Sequence, residues 1–393
     1  MSTYLIKLTP IERFYFGSDI TFGRDNQNYL VRSAYFPQQT TILGMLRYYL
    51  LQENELMDSK GIVINQNKAD ELIGTTGFDP QNSHSYGVIN KLSPVFISGP
   101  DGEYFAQSRE YGIDWLEDEV SKERMQSIRH LTVKKIKGVC SFSQSSIHIH
   151  HFESYSSKTE IPTLLVNARN NRMRFLDYGV ELNNQVLKGI FITDQQIGIK
   201  LPEKGNKRTP EKGYFKQTGF RMPSGFSFAF YADLTIKQGT RFESGLVKMG
   251  ADNSMFDIEI TPKHLENDTI DNLFSRQADS LVNPLFKNAN DYRKKVVLLS
   301  DCFLPCDAYK KSVFASVEHT TFKYLEIITD KNDEADCYKI SGGKIQFRKS
   351  AEFRTLLRKG SVLYVENESK KEELINAIRK EKAFRQIGYN YAI

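Results

Sequence analysis

Three histidines near the middle of the chain are the residues whose type and spacing best suit catalysis or metal binding. The segment "IHIHH" contains His148, His150 and His151. If this segment is a strand, His148 and His150 share one face and His151 lies on the other. Imidazoles on one face can act as a general base or bind a metal ion. No tyrosine or lysine partner is positioned by the sequence, so surface or packed histidines are the alternative. We therefore predict no catalytic residue and no metal site.

A helix predicted near residue 40 carries a glycine and an arginine on the side opposite its apolar stripe. In "TTILGMLRYYL" an apolar stripe at helical spacing comprises Ile42, Met45, Leu46, Tyr49 and Leu50. Thr40 or Thr41 can cap the start of this helix, and Gly44 and Arg47 lie on its other side. Glycine costs a helix interior about 1 kcal/mol, but it permits close approach of another chain, and arginine offers a forked donor. The alternative is a second element packed on Gly44, with Arg47 in a salt bridge.

Two glycine bends follow basic residues. Lys248 precedes Gly250, and Arg385 precedes Gly388, and each bend leads into a β-like run. Backbone N–H groups at such a turn can point at a phosphate, with the neighbouring cation assisting. The alternative is a tight turn in which glycine supplies a positive φ.

A basic loop is predicted between residues 204 and 214. Its cations and the aromatic residue that follows them are Lys204, Lys207, Arg208, Lys212 and Tyr214. Glycine and proline interrupt the segment, which predicts an exposed loop or the tip of a hairpin. Cations there can neutralise phosphate while the ring stacks on a base, worth about 1–3 kcal/mol. The alternative is a solvated loop with no ligand.

The elements that would position these residues form an α+β pattern. Residues 3–8 predict a strand, and residues 226–231 alternate so that Phe226, Phe228 and Phe230 share one face. A second α+β pattern begins after residue 263 and contains the helix "KKEELINAIRKEKAF". Residues 114–137 alternate acids and bases, which favours a solvated helix or mobile insertion whose lysines Lys134, Lys135 and Lys137 are weaker candidates for a polyanion contact.

The composition and net charge of the chain limit the classes of protein to which it can belong. The chain has 393 residues, 40% hydrophobic and 26% charged, which indicates a globular protein of two domains. Its formal charge of +5 neither requires nor excludes nucleic acid. The four cysteines are too scattered for a disulfide framework, and neither a signal peptide nor an apolar span is present. We expect a soluble, cytoplasmic protein without a cofactor and without membrane contact.

Three segments together resemble the RAMP proteins of CRISPR systems. "PQQTTILGMLRYYLL" is similar to their first-helix signature, in which Pro, Ser or Thr precedes Gly-x-x-Arg. "GIKLPEKGNKRTPEKGYFKQTGFRMPSGFSFAF" resembles the segment before their glycine-rich loop, and "GLVKMGADN" lies where that loop is expected. The resemblance is greatest to subunit three of the type III-B Cmr effector complex, and the type III-A counterpart comes second.

The resemblance implies two ferredoxin-like, RRM-type domains in tandem. They would span residues 1–262, with an insertion at about 53–190, and residues 263–393. It also implies a non-catalytic subunit that holds the 5′ tag of the CRISPR RNA in antiviral defence. Its partners would be the CRISPR RNA, the large polymerase-like subunit and a backbone RAMP subunit. Related RAMP nucleases use a histidine to activate the 2′-hydroxyl, so a metal-independent endoribonuclease using His148 or His150 is the alternative.

The same resemblance assigns RNA contact to the helix, the two bends and the basic loop. The predicted RNA-binding residues are Thr41, Gly44, Arg47, Lys204, Lys207, Arg208, Lys212, Tyr214, Lys248, Gly250, Arg385 and Gly388.

Overall fold

The computed structural model has an α+β architecture dominated by strands, as the sequence predicts. It describes residues 2–17, 30–117, 124–139, 146–153, 155–156, 159–177, 180–182, 185–187, 189–199, 214–250, 252–263, 269–286, 289–327, 340–341, 344–345, 347–350 and 352–393. The helices are α1 (Gln39–Glu53), α2 (Gln66–Ile73), α3 (Ile270–Leu285), α4 (Ala289–Lys294), α5 (Cys306–Tyr309), α6 (Glu368–Arg379) and α7 (Lys382–Gln386). Within these ranges no helix has both the length and the apolarity needed to cross a bilayer.

Most of the described elements are strands. From the start of the chain they are β1 (Ser2–Pro10), β2 (Leu30–Arg32), β3 (Ile89–Leu92), β4 (Phe96–Gly99), β5 (Gly102–Ala106), β6 (Tyr111–Glu117), β7 (Arg124–His130), β8 (Val133–Val139), β9 (Ser146–Phe152), β10 (Leu164–Asn167), β11 (Met173–Phe175), β12 (Val180–Leu182), β13 (Gln185–Leu187), β14 (Ile192–Ile199), β15 (Tyr214–Arg221), β16 (Ser227–Leu234), β17 (Gly245–Met249) and β18 (Ser254–Lys263). After α4 they are β19 (Lys295–Val297), β20 (Phe314–Ser316), β21 (His319–Phe322), β22 (Leu325–Ile327), β23 (Ile340–Ser341), β24 (Lys344–Ile345), β25 (Phe347–Lys349), β26 (Arg354–Leu357) and β27 (Val362–Tyr364).

A large antiparallel sheet forms the centre of the molecule. Its strand order is β11-β10-β5-β4-β16-β1-β18-β17, and β3 also pairs with β16. In the middle of the sheet Ile6 of β1 lies opposite Phe230 of β16 and Ile260 of β18. Strands β3, β4, β5, β10 and β11 come from residues 53–190, so this segment contributes to the central sheet.

Strand β16 shows how the sequence pattern divides the core. Phe228 and Phe230 pack with α1 on one face of the sheet, whereas Ala229 and Tyr231 pack with α3 on the other. The predicted alternation over residues 226–231 is therefore confirmed, and the strand is buried on both faces. Helix α1 covers its face with the predicted apolar stripe, whose members Ile42, Met45, Leu46, Tyr49 and Leu50 are all buried.

A second, smaller sheet carries the long β14–β15 hairpin. Its order is β14-β15-β2, with β2 parallel to β15. Phe220 near the end of β15 is buried, and an isolated bridge to Phe14 ties the hairpin to the segment after β1.

The C-terminal half is built around β19. This strand pairs with β27, which pairs with β20, while Leu298 just beyond β19 bridges Ala392 near the end of the chain. Helix α6 packs Leu374 and Ile378 against this sheet. The predicted helix in "KKEELINAIRKEKAF", residues 370–384, is confirmed for residues 370–379, and residues 382–384 belong to the separate helix α7.

A buried ionic cluster connects the two halves. Lys295 of β19 donates two hydrogen bonds to the Glu110 carboxylate, 3.0 and 2.8 Å long, and both side chains are only 2% exposed. The Tyr364 hydroxyl also donates to Glu110, and burial followed by this carboxylate raises the pKa of Tyr364. Because breaking a buried ion pair leaves an uncompensated charge, this cluster fixes the C-terminal sheet against the segment that precedes β6.

The prediction of a solvated helix within residues 114–137 is wrong, and the alternative of a mobile insertion stays a prediction. Residues 114–117, 124–130 and 133–137 belong to β6, β7 and β8, and β6 forms a hairpin with β7. Glu117 lies opposite Arg124 in that hairpin. A sequence that alternates acids and bases is therefore compatible with paired strands as well as with one helix.

Candidate RNA interface

The outer face of α1 is open at Gly44. No heavy atom outside the backbone of its own helix and its chain neighbours lies within 4 Å of a Cβ built at this glycine. Gly44 is exposed, Thr41 one turn earlier is half-buried, and Tyr48 one turn later is 40% exposed. The alternative in which another element packs on Gly44 therefore has no support among the described residues. The sequence did not single out Tyr48, an exposed aromatic residue one helical turn after the glycine.

The start of α1 differs from the prediction. Gln38 is the N-cap and makes no side-chain cap, so the prediction that Thr40 or Thr41 caps the helix is wrong. The helix begins earlier because buried Gln39 anchors it: with its amide suitably oriented, Nε2 donates to the Ile387 carbonyl at 3.1 Å and Oε1 accepts from the Val95 N–H at 3.0 Å. The first turn is thereby held by both the central sheet and the C-terminal segment.

Arg47 points away from the open face of α1. Its Nη1 donates to the Thr76 carbonyl at 3.0 Å and its Nη2 donates to the Gly74 carbonyl at 3.1 Å. Gly74 is the C-cap of α2, where a cation complements the helix dipole. Burial lowers the pKa of Arg47. These bonds orient the guanidinium within the protein, and its contact with RNA stays a prediction.

Gly250 lies in the turn between β17 and β18. Its φ is +82°, and a Cβ built there would lie 2.8 Å from the Tyr15 carbonyl oxygen, so only glycine fits. The Gly250 carbonyl accepts from the Asn253 N–H at 3.1 Å, which closes the turn. Gly250 is half-buried and Lys248 is exposed. The turn therefore lies at the surface, with a cation beside it.

Gly388 follows α7 and is buried. Its φ is +96°, and an added Cβ would lie 2.4 Å from the Ser93 carbonyl oxygen. Arg385 donates to Asp271 at 2.9 Å and lies 4.8 Å from the centre of the Tyr391 ring. Close packing thus accounts for this glycine, and the predicted RNA contact of this pair gains no support from its surroundings.

The cations of the basic loop, Lys204, Lys207, Arg208 and Lys212, lie outside the described residues. The strands that flank them pair with each other, and Ile199 of β14 lies opposite Tyr214 of β15. The segment therefore connects the two strands of a hairpin, as predicted. Their role in RNA binding stays a prediction.

An exposed cluster at the base of the same hairpin was not found from the sequence. Arg32 of β2 donates to Asp177, and the Tyr35 hydroxyl donates to the same carboxylate at 2.7 Å. Arg32 and Asp177 are 145 positions apart in the sequence. No local pattern could have joined them.

The three histidines lie on β9, as expected for a strand. In the β8–β9 hairpin His148 lies opposite Lys137, His150 opposite Lys135 and His151 opposite Lys134. The Nδ1 atom of His151 is buried without a hydrogen-bond partner. In the part of the chain that the structure describes, no group of three or more His, Cys, Asp or Glu residues is arranged to hold a metal ion.

These features define a sheet-rich α+β protein whose surface presents bare backbone, cations and aromatic rings, a combination suited to a polynucleotide. A family model described as "CRISPR-associated protein (Cas_Cmr3)" matches residues 6–393. The chain therefore belongs to the Cas_Cmr3 family, and the predicted resemblance to the CRISPR RAMP proteins and to subunit three of the type III-B complex is confirmed. This membership makes the chain a type III CRISPR effector subunit.

Two solved structures are similar to the chain. One is a chain of the type III-B Cmr-beta complex bound to cognate target RNA, with a TM-score of 0.48 and 12% identity, covering 100% of this chain and 96% of that chain. The other is from the same complex with cognate target RNA and AMPPnP, with a TM-score of 0.46, 12% identity and the same coverage of 100% and 96%. A comparison with curated protein sequences gives no match.

Proposed function

We propose that the chain is a non-catalytic RNA-binding subunit of a cytoplasmic type III CRISPR effector. In this role it holds the 5′ tag of the CRISPR RNA and docks the large polymerase-like subunit, with a backbone RAMP subunit as its other neighbour. Family membership supports the place in the effector complex. The assignment of the RNA tag and of the two neighbouring subunits is based on the resemblance of the sequence segments to RAMP proteins.

The open face at Gly44 is the observation that carries the proposal. Glycine destabilises an exposed helix position by about 1 kcal/mol relative to alanine, and no contact within the described protein requires it here. A ligand that approaches the helix backbone explains the residue. In this proposal a ribose–phosphate chain lies along the open face, and the exposed Tyr48 one turn later stacks on a base.

Other elements supply the cations that would neutralise the phosphates. Lys248 and the turn at Gly250 offer a cation beside a surface bend, and the β14–β15 hairpin carries the basic segment between its strands. Recognition would then combine charge neutralisation with stacking on unpaired bases, as in other single-strand RNA binders.

We also propose two ferredoxin-like RAMP domains, residues 1–262 with an insertion at about 53–190, and residues 263–393. The strand order of the C-terminal half supports this division. The segment at Ala392, then β19, β27 and β20 lie side by side. In chain order this is 4-1-3-2, with α5 after the first strand and α6 before the last.

Obstructing α1 tests the proposal. Gly44→Leu fills open space, so we expect unchanged or higher thermal stability and a roughly ten-fold weaker affinity of the full-length chain for a CRISPR RNA with its 5′ tag. Asn376→Ala, at an exposed position of α6, is the matched control and should leave RNA affinity unchanged. Equal affinity of Gly44→Leu and wild type would contradict the proposal.

The basic loop gives an independent test. Lys207→Ala/Arg208→Ala should reduce the salt dependence of RNA binding, by about one unit of slope for each phosphate that the loop no longer neutralises. The measurement is RNA affinity over a series of salt concentrations. An unchanged slope would remove the loop from the binding surface.

The second candidate function is a metal-independent endoribonuclease. The register of the β8–β9 hairpin favours it, because Lys137 and Lys135 lie opposite His148 and His150 and could supply the cation that the sequence did not position. Incubating a labelled repeat RNA with the protein in EDTA separates the two functions. Cleavage that His148→Ala or His150→Ala abolishes would establish the nuclease.

A further inference from the structure

Arg32 presents a guanidinium that its neighbours hold in place at the surface. Its Nη2 donates to both oxygens of Asp177, at 3.1 and 3.2 Å, and also to the Tyr35 hydroxyl. Its central carbon lies 5.3 Å from the centre of the Tyr35 ring and 5.6 Å from that of Phe220. A long side chain that is normally free to rotate is thus fixed by a carboxylate, a hydroxyl and two rings.

Stability alone does not explain this arrangement. The Arg32 side chain is 55% exposed and that of Asp177 is 42% exposed, and exposed ion pairs contribute only about 0–1 kcal/mol. No described residue accepts a hydrogen bond from Nε or Nη1 of Arg32. Among the described residues two oriented donors of Arg32 are thus left without an acceptor, and such preorganised groups are typical of binding sites.

The position of Arg32 places these donors on one face of the β14–β15 hairpin. Arg32 is in register with Thr218 of β15, which is in register with Gln195 of β14. Directly opposite residues of neighbouring strands share a face, and so do residues two and four positions along. Lys216, two positions from Thr218 and nearer in sequence to the basic loop, therefore lies on the Arg32 face.

The charge balance distinguishes Arg32 from the cations of that loop. Asp177 offsets the positive charge of Arg32 at close range, so the pair adds little net attraction for a phosphate. The Nε–H and Nη1–H donors, which have no acceptor among the described residues, can instead bond an acceptor on a base edge, which is how arginine reads bases. Bases of a single strand are accessible for such contacts.

We propose that Arg32 is a base-contacting residue, whose Nε and Nη1 donate to an unpaired base of the bound RNA while Asp177 and Tyr35 hold the guanidinium in position. The inference rests on the proposed RNA-binding function. It adds a residue that contacts a base to a surface whose other cations contact phosphates.

Binding of full-length variants to a CRISPR RNA with its 5′ tag tests the inference. Arg32→Ala and Arg32→Lys should both weaken binding about ten-fold, because a hydrogen bond to a charged donor is removed, while the salt slope stays that of wild type. Arg221→Ala is the matched control. Arg221 pairs with Asp194 at 2.5 Å and is 52% exposed, but it is three residues from Thr218 and so lies on the opposite face of the hairpin; its replacement should not change affinity.

A series of RNAs, each with one abasic nucleotide in the tag, identifies the contact. In wild type, removing a contacted base should weaken RNA binding. In Arg32→Ala, removing the base that Arg32 contacts should cause no further loss of affinity. The inference is overturned if the variant and wild type respond identically to every abasic position. It is also overturned if Arg32→Ala binds RNA normally but fails to retain another protein subunit in the complex.

The same experiment separates this inference from the proposed function. If Lys207→Ala/Arg208→Ala lowers the salt slope and Arg32→Ala has no effect, only the inference fails. If neither those variants nor Gly44→Leu changes RNA binding, the proposed function fails and the inference fails with it.

Discussion

The turns at Gly250 and Gly388 share a sequence pattern but differ in surroundings. Each has a basic residue two or three positions before a glycine of positive φ, +82° and +96° respectively. Gly250 is half-buried at the end of a hairpin, next to exposed Lys248, whereas Gly388 is buried under Ser93 and Gln39. The pattern therefore marks a backbone conformation, and only the surroundings decide whether a ligand can reach it.

Replacing Gly388 should have the largest effect on stability. Gly388→Ala would place a Cβ 2.4 Å from the Ser93 carbonyl oxygen in addition to straining φ, so we expect a loss of about 3–5 kcal/mol. Chemical denaturation measures it. Gly239→Ala is the control, because Gly239 has a φ of +87° but no neighbour within 4 Å of an added Cβ. Equal losses in the two variants would show that packing at Gly388 contributes nothing.

Replacing Gly250 should have a smaller effect on stability and a separate effect on RNA. Gly250→Ala places a Cβ 2.8 Å from the Tyr15 carbonyl oxygen, for an expected loss of about 2–3 kcal/mol. Under conditions in which the variant is folded, its RNA affinity should also fall, whereas folded Gly388→Ala should bind RNA like wild type. If both variants lose affinity equally, the contrast between the two turns is wrong.

Removing the cation near Gly388 should change stability in a pH-dependent way. Burial would raise the pKa of Asp271, but its contacts with Lys91 and Arg385 hold the pKa below its usual value. Such a carboxylate contributes stability above its unfolded pKa of about 3.9, and this contribution is lost as pH falls through the folded pKa. Arg385→Gln should therefore lose about 1 kcal/mol near neutral pH, and the deficit should shrink in acid. A deficit independent of pH would exclude this ion pair as the cause.

Removing the cation near Gly250 should have the smallest effect on the fold. Lys248 is exposed, so Lys248→Ala should change stability by less than about 0.5 kcal/mol. RNA binding should lose about one unit of salt slope if the lysine contacts a phosphate. Titrations at several salt concentrations, with Arg385→Gln alongside as the variant expected to keep its slope, compare the two turns directly.

Short-range patterns predicted much of the fold. The alternating phenylalanines of β16, the apolar stripe of α1 and the helix α6 are confirmed, because each concerns residues within one element. The helix predicted within residues 114–137 was wrong, because charged residues that alternate along the sequence can also lie on paired strands, as Glu117 and Arg124 do. Opposite charges at short spacing do not distinguish pairing along a helix from pairing between strands.

Less of the candidate site than of the fold could be predicted from the sequence. Gly44 and the turn at Gly250 could be found, since a glycine in an unusual place is a local signal. Their surroundings could not: Arg47 bonds to carbonyls at Gly74 and Thr76, and Arg32 pairs with a carboxylate 145 positions away. Long-range contacts of this kind determine which cations remain available to a ligand, and they depend on tertiary structure.

The buried ion pair between Lys295 and Glu110 affects how the protein unfolds. Both side chains are 2% exposed, so separating the C-terminal sheet from the rest would break the pair and open the packed interface that surrounds it. We therefore expect a single cooperative melting transition, and we expect the halves, if produced as two polypeptides, to require each other in order to fold.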